Sequence, residues 1–432
     1  MNFLKEFSYF CFGFMLIMAL NCGKDDPIPN PVAAPLTSTI DLETTYQTIA
    51  GFGGANRMWG TQFLKPEDAP TAFGMGPNQL GLSIFRVRIA SNPDEWPLIL
   101  ESVTQAQNFG VKILASPWSP PAALKNNNSE IGGYLLPENY EAFKDHINDF
   151  VAYMNQNGID IYAISIQNEP DIQVSYESCD WSSNQMIDFI VNYGHLINNT
   201  KIAAPESFKF DPWYTNPFLQ NSECRNNLDI VAGHIYGSGL GAFPLAEEHN
   251  KEIWMTEYLL NLNTGNAGAT PWASHEESTK WNESMNMLET IHEAMEFNWN
   301  AYIWWYLQRY YSFLGDGTEN TVNGDMLKRG YAFSHYSKYI RPGFIRVGQS
   351  TNKENNLMIT AYSSQDQIVA VIINPEDTDL INFNVAVPSV SGAKAYETSL
   401  VLDHEEKTAS VSEGKVAVDL GGNSITTVII EK

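Results

Sequence analysis

Between residues 48 and 307 the apolar positions fall into eight short β-branched or aromatic runs, separated by stretches with a helical repeat. The runs are TIAGFGG (48–54), LSIFRVRI (82–89), KILASPW (112–118), YAISIQNEP (162–170), KIAAPES (201–207), IVAGHIYG (230–237), EIWMTEY (252–258) and AYIWWYL (301–307). Intervening segments such as EAFKDHINDFVAYMNQNG and WNESMNMLETIHEAMEF place apolar residues every three or four positions, as amphipathic helices do. Eight strands with crossover helices predict an α/β fold, a (β/α)8 TIM barrel over residues 48–340, with its active site at the carboxyl ends of the strands. A doubly wound open sheet is the alternative, but no Gly-rich phosphate loop follows any run. From residue 341 the rhythm changes to LMITAYSS, QIVAVIIN, INFNVAV, AKAYETSLV, GKVAVDL and SITTVIIEK. These predict a side antiparallel β-sandwich over 341–432, one face packed and one wet, and the strand-like segment 38–47 is expected to join it.

The chain opens with Lys5, an apolar run and Cys22, which reads as a signal peptide over 1–21 with lipid attachment at Cys22. Asn21 departs from the small residue usual before such a cysteine. A Pro-rich tether over 22–37 follows, beginning with an acidic KDD that resembles the export signal of bacterial surface lipoproteins. The expectation is an outer-membrane surface lipoprotein held by its lipid, the alternative an ordinary cleaved leader and secretion. Cys179 and Cys224 either pair or remain two thiols.

A net charge of −25 argues against nucleic acid as a partner, because phosphate binding needs clustered Lys and Arg. The 11 Trp and 20 Tyr suit a ligand with apolar faces and hydroxyl edges, such as a sugar, or else a large aromatic core. No His/Cys/Asp cluster has metal-ligand spacing, no cofactor is expected, and a monomer is the default expectation.

Polar residues gather where the runs end. Glu169, in Asn168-Glu169-Pro170, closes the fourth run, and Glu257 the seventh. Two carboxyls facing each other across a barrel mouth suit cleavage of a glycosidic bond, and retention of configuration needs them about 5–5.5 Å apart. Such proximity splits their titration, since one ionised carboxyl raises the pKa of the other. Each glutamate alone reads equally as a surface carboxylate, but apolar β-runs precede both.

ISIQNEPD around Glu169 and WMTEY around Glu257 resemble the acid/base and nucleophile strands of glycoside hydrolase family 30. QTIAGFGG, FGMGPNQLGLSIFRVRI, ASPWSPP, APESF, GHIYG, WWYLQR and KRGYAFSHYSKYIRPGFIRV are similar to its subfamily 8, the bacterial glucuronoxylan endo-xylanases. The resemblance runs from about residue 44 to the C-terminus. It implies a retaining endo-β-1,4-xylanase acting on xylan, with Glu169 as general acid/base and Glu257 as nucleophile. It also implies Asn168 at the sugar 2-hydroxyl, Arg86 holding Glu257 ionised, Tyr236 orienting it, and Trp118 and Trp305 walling the subsite. Packing roles are the alternative for both Trp residues, and a barrel ion pair for Arg86. His234 reads as a structural histidine.

Arg309 corresponds to the arginine that holds a methylglucuronate branch in the subfamily, with a rim ion pair as its alternative reading. Leu259 and Asn263 stand where the subfamily uses Tyr and Ser, which leaves Arg309 with less help. Competing readings are a family relative acting on arabinoxylan, unbranched xylan or β-1,6-glucan, and a non-catalytic surface polysaccharide-binding lipoprotein. The last typically loses a catalytic carboxylate, and this chain keeps both.

Overall fold

A computed structural model describes residues 35–262 and 269–432, so the leader, Cys22 and most of the tether lie outside the described residues, as does Asn263. Residues 36–432 form one compact unit. Strand β1 (Thr37–Thr48) precedes eight barrel strands: β2 (Gly51–Ala55), β3 (Ile84–Ile89), β4 (Lys112–Pro117), β5 (Ile161–Ser165), β6 (Lys201–Ser207), β7 (Ile230–His234), β8 (Glu252–Glu257) and β9 (Ala301–Trp304). These eight pair in parallel and in chain order, and β9 closes against β2. The predicted barrel is therefore present, with one strand in each of the eight runs.

Period-two alternation sorts each strand's side chains. On β3, Ile84 joins the small inner cluster of Leu114, Ala163, Ala232, Trp254 and Ile303, while Phe85 and Val87 join the outer layer that receives the helices. Arg86 follows Ile84 on the inward side, one step nearer the carboxyl end. The helix Tyr140–Gln156 turns Phe143, Ile147, Phe150, Val151 and Met154 onto that outer layer, which is the three-to-four spacing read from the sequence.

Nine further strands form the side domain: β10 (Ile345–Thr351), β11 (Met358–Ser363), β12 (Gln367–Asn374), β13 (Leu380–Ala386), β14 (Gly392–Ser399), β15 (Glu405–Lys407), β16 (Ser410–Ser412), β17 (Lys415–Leu420) and β18 (Ser424–Glu431). They form the expected side β-domain as one curled sheet. All nine join β1 in one ten-stranded sheet, in the order β15-β14-β18-β12-β11-β10-β1-β13-β17-β16. β1 makes it continuous, pairing antiparallel with β10 and parallel with β13, and its register shifts at Asp41/Thr45 and Thr45/Thr48 bend it. The sheet curls until Ile359, Ile372, Phe383, Val418 and Val428 share one core.

The expected wet outer face is also dry at the centre. On β12, Ile368, Ala370 and Ile372 point into the curled core, while Val369, Val371 and Ile373 belong to the barrel's own hydrophobic layer. Where the sheet meets the helix Lys328–Ser337, His335 bridges Thr427 and Thr398 at 2.8 Å each, and burial holds its imidazole well below the usual range. Among the described residues no helix is long and apolar enough to cross a membrane.

Cys179 and Cys224, for which pairing was left open, are two free buried thiols, each pushed by burial up to about 12. Because Ile373 locks the curled sheet to the barrel, Ile373→Ala is expected to lower the unfolding free energy by about 2–5 kcal/mol. Urea denaturation checks this, and a loss below about 0.5 kcal/mol, the level of an exposed site, would contradict the packing.

Candidate active site

The backbone leaves regular strand geometry where the polar residues gather. β5 stops at Ser165, and the chain turns so that Glu169 sits at φ 47° and Asn168 donates its amide to the Pro117 carbonyl at 2.8 Å. Glu206, inside β6, has φ 55°, with a register shift between Pro205 and Ser207 against β7. A second shift sets His234 opposite Glu257 across β7 and β8. Positive φ at a non-glycine residue is strained, and bulges re-aim side chains, so Glu169 and Glu206 hold strained positions at this rim.

The consequence is a tight cluster. Arg86, wholly buried, donates Nη1 to Glu257 Oε2 at 2.6 Å, Nε to Glu206 Oε1 at 3.1 Å and Nη2 to Asn168 Oδ1 at 2.6 Å. Since a guanidinium only donates, the Asn168 amide must turn its oxygen inward, leaving its NH2 free to meet a hydroxyl. Tyr236 donates its hydroxyl to Glu257 Oε1 at 3.0 Å. Tyr176 does the same to Glu169 Oε2 at 3.2 Å, and His234 Nδ1 lies 3.0 Å from Glu169 Oε1. One carboxylate oxygen of Glu169, one of Glu257 and a ring nitrogen of His234 all lie within 4.8 Å of one another.

The electrostatics follow from burial and counter-charge. Burial works against an imidazolium at His234, but Glu257, Glu169 and Glu206 outweigh it and hold its pKa up at about 9. Burial likewise opposes ionisation of Glu206, yet Arg86 and His234 bring it down to about 2. Glu257 is raised by burial, with His234 and Arg86 pulling it down and Glu169 pushing it up. Three buried carboxyls, Glu169, Glu206 and Glu257, thus face two cations, Arg86 and His234. The same spacing suits a cation, but a protonated imidazole cannot ligate and Arg86 already supplies positive charge, so the donor set fits a metal poorly.

Of the residues expected here, Asn168, Glu169, Glu257, Arg86 and Tyr236 meet directly. Trp118 is 2 % exposed, beneath the Arg86 guanidinium at 4.8 Å, so it offers a sugar little more than an edge. Trp305 is partly exposed and 6.0 Å from it. Leu259 packs against the barrel core. Arg309 stands apart from the carboxyl pair and engages Asp316 Oδ2 at 3.4 Å.

His234, read as purely structural, touches Glu169. Glu206 was passed over within APESF, where its apolar neighbours disguise it as a strand residue. The exposed rings of Trp59 and Tyr176, 6.4 Å apart, were also missed; the one cue was WG after the first run.

A closed parallel barrel with two carboxyls this close at the carboxyl ends of its strands is the architecture of a glycoside hydrolase. The chain belongs to glycosyl hydrolase family 30, whose TIM-barrel domain matches residues 82–308. It is similar to glucuronoxylanase XynC of Bacillus subtilis, 31% identical over 434 residues, covering 98% of this chain and 97% of the relative. The crystal structure of a family 30 subfamily 8 xylanase from Clostridium acetobutylicum superposes with a TM-score of 0.80 at 30% identity, over 92% of this chain and 100% of that one. An endo-β-1,6-glucanase structure matches with a TM-score of 0.69 at 19% identity, covering 92% and 94%, a likeness of fold alone.

The His234 proton makes stability depend on pH. Its folded pKa lies above the unfolded value, so its contribution is complete below about pH 6.5 and is lost as pH rises through about 9. Glu206 has the opposite sign, stabilising above about pH 4.5 and losing that contribution as pH falls through about 2. The Tm difference between wild type and His234→Asn is therefore expected to shrink from about pH 6 to about pH 10. A constant difference over that range would exclude a buried imidazolium.

Proposed function

We propose that this chain is a retaining endo-β-1,4-xylanase that cuts glucuronate-branched xylan. The observation that carries the reading is the approach of Glu169 and Glu257 oxygens to within 4.8 Å, which suits the roughly 5–5.5 Å separation of retaining enzymes and not the 6.5–9.5 Å of inverting ones. The names of the relatives, a glucuronoxylanase and a subfamily 8 xylanase, support the substrate.

In this mechanism Glu257 attacks the anomeric carbon while Glu169 gives its proton to the departing oxygen. Arg86 and Tyr236 each donate to a Glu257 oxygen, which supports the carboxylate that attacks. Glu169 then takes a proton from the water that releases the covalent glycosyl intermediate. The Asn168 NH2 meets the 2-hydroxyl as charge builds on the ring. His234 positions Glu169 and is a positioning residue. Arg309 holds the methylglucuronate carboxylate, for which a guanidinium fork is suited. We further propose export, with lipid on Cys22.

Proton NMR of the first products is expected to show the β-anomer, and an α-anomer would overturn the retaining assignment. Glu169→Gln is expected to lower kcat on xylan by about 10²–10⁴-fold. Product analysis on methylglucuronoxylan should place cuts at a fixed distance from each branch. Arg309→Ala should reduce kcat/KM there by about 10–150-fold. Cuts without regard to branches would remove the glucuronate reading.

A further inference from the structure

Beside the aromatic wall of the cleft, two guanidiniums share one carboxylate. Arg57, in the loop after β2, reaches Asp316 Oδ2 at 3.0 Å, and Arg309 reaches the same oxygen at 3.4 Å. The other oxygen of Asp316 is occupied by Thr318, which donates its hydroxyl at 2.6 Å and its amide at 3.2 Å. Asp316 therefore has no further lone pair directed at either arginine, and the group carries one uncompensated positive charge. Burial lowers Arg57 from its ordinary value, and repulsion from Arg309 adds to it. Arg309 Nε is also buried without a hydrogen-bond partner. A buried donor without an acceptor is costly unless a ligand satisfies it.

The position relative to the carboxyl pair can be traced through contacts. Arg86 binds Glu257 and lies 4.8 Å over Trp118; Trp118 neighbours Trp305 at 6.0 Å; Trp305 stacks on Tyr306 at 4.1 Å; and Tyr306 lies 5.6 Å beneath Arg57. A row of rings thus links the di-arginine group to the residues around Glu257.

We propose that Arg57 and Arg309, held apart by Asp316, form a two-guanidinium seat for a single carboxylate carried on the xylan backbone, with Arg57 as a second determinant of specificity. The inference rests on the role proposed for Arg309. It explains how this chain compensates for Leu259, which packs into the barrel and offers no polar atom where the subfamily is expected to supply a Tyr.

The test compares kcat/KM on native glucuronoxylan with kcat/KM on the same polymer after its carboxyls are reduced to alcohols, for full-length wild type, Arg57→Gln and Arg309→Gln. The readout is the native-to-reduced ratio. The proposal expects a wild-type ratio well above one that falls roughly 10–150-fold in either variant, the worth of one charge-assisted hydrogen bond. A ratio that collapses in Arg309→Gln but is kept in Arg57→Gln overturns the role of Arg57 and leaves that of Arg309 intact. A wild-type ratio near one overturns both. If Arg57→Gln does not fold, Arg57→Lys, which keeps a cation for Asp316 but not the planar fork, is read on the same ratio. A fall there supports the seat, and an unchanged ratio overturns it.

Discussion

The site is organised around one buried guanidinium. Arg86 is fully enclosed and reaches Glu257 from β8, Glu206 from β6 and Asn168 from the loop after β5. Burying a charge is expensive, and a buried ion pair repays the expense only with excellent geometry and satisfied hydrogen bonds. The closed barrel supplies both, because parallel strands on all sides let a residue of β3 point inward and meet partners from three other parts of the ring. The dependence is mutual: without Arg86, Glu206 and Glu257 would be two dry like charges, and without them Arg86 would be a bare cation in an apolar barrel.

The barrel below this layer is filled by Ile84, Leu114, Ala163, Ala232 and Ile303. At the rim, Glu169, Glu206 and Tyr306 all have positive φ, and β6 and β8 slip in register against β7. Strained residues persist where surrounding structure over-determines them. Here the same hydrogen bonds that hold Glu169 and Glu206 in place also define their chemistry, so strain and function share one set of contacts.

That division explains what could be read in advance. The eight barrel runs were legible because apolar alternation is a local signal. Three of them were read too far, 162–170, 230–237 and 301–307, because the strands end at Ser165, His234 and Trp304 without a glycine or proline at that point to mark the turn. Glu169 and Glu257 stood out because each ends such a run, and Asn168, Arg86 and Tyr236 through the resemblance of their segments to the family. Glu206 and His234 interrupt such runs as well, but their partners come from other strands, and nothing local separates a buried network member from a satisfied core polar group. The side β-domain was legible, but its continuity as one curled sheet was not, because β1, which joins its halves, is separated from β13 by about the whole barrel in sequence. Arg57 gave no signal at all, since its partner Asp316 is 259 residues away.

The two groups of cations differ in what they face. Charges acting on Glu257 come from His234, Arg86 and Glu169, whereas Arg57 and Arg309 share Asp316. Trp118, Trp305 and Tyr306 form the row of rings that links Arg86 to Arg57. A chain of net charge −25 gains little long-range attraction for an acidic polymer, and salt screens charges beyond about 8–10 Å in any case. Under the proposed reading, the attraction for an acid group on such a chain comes from a short-range cationic seat, Arg57 and Arg309 around Asp316.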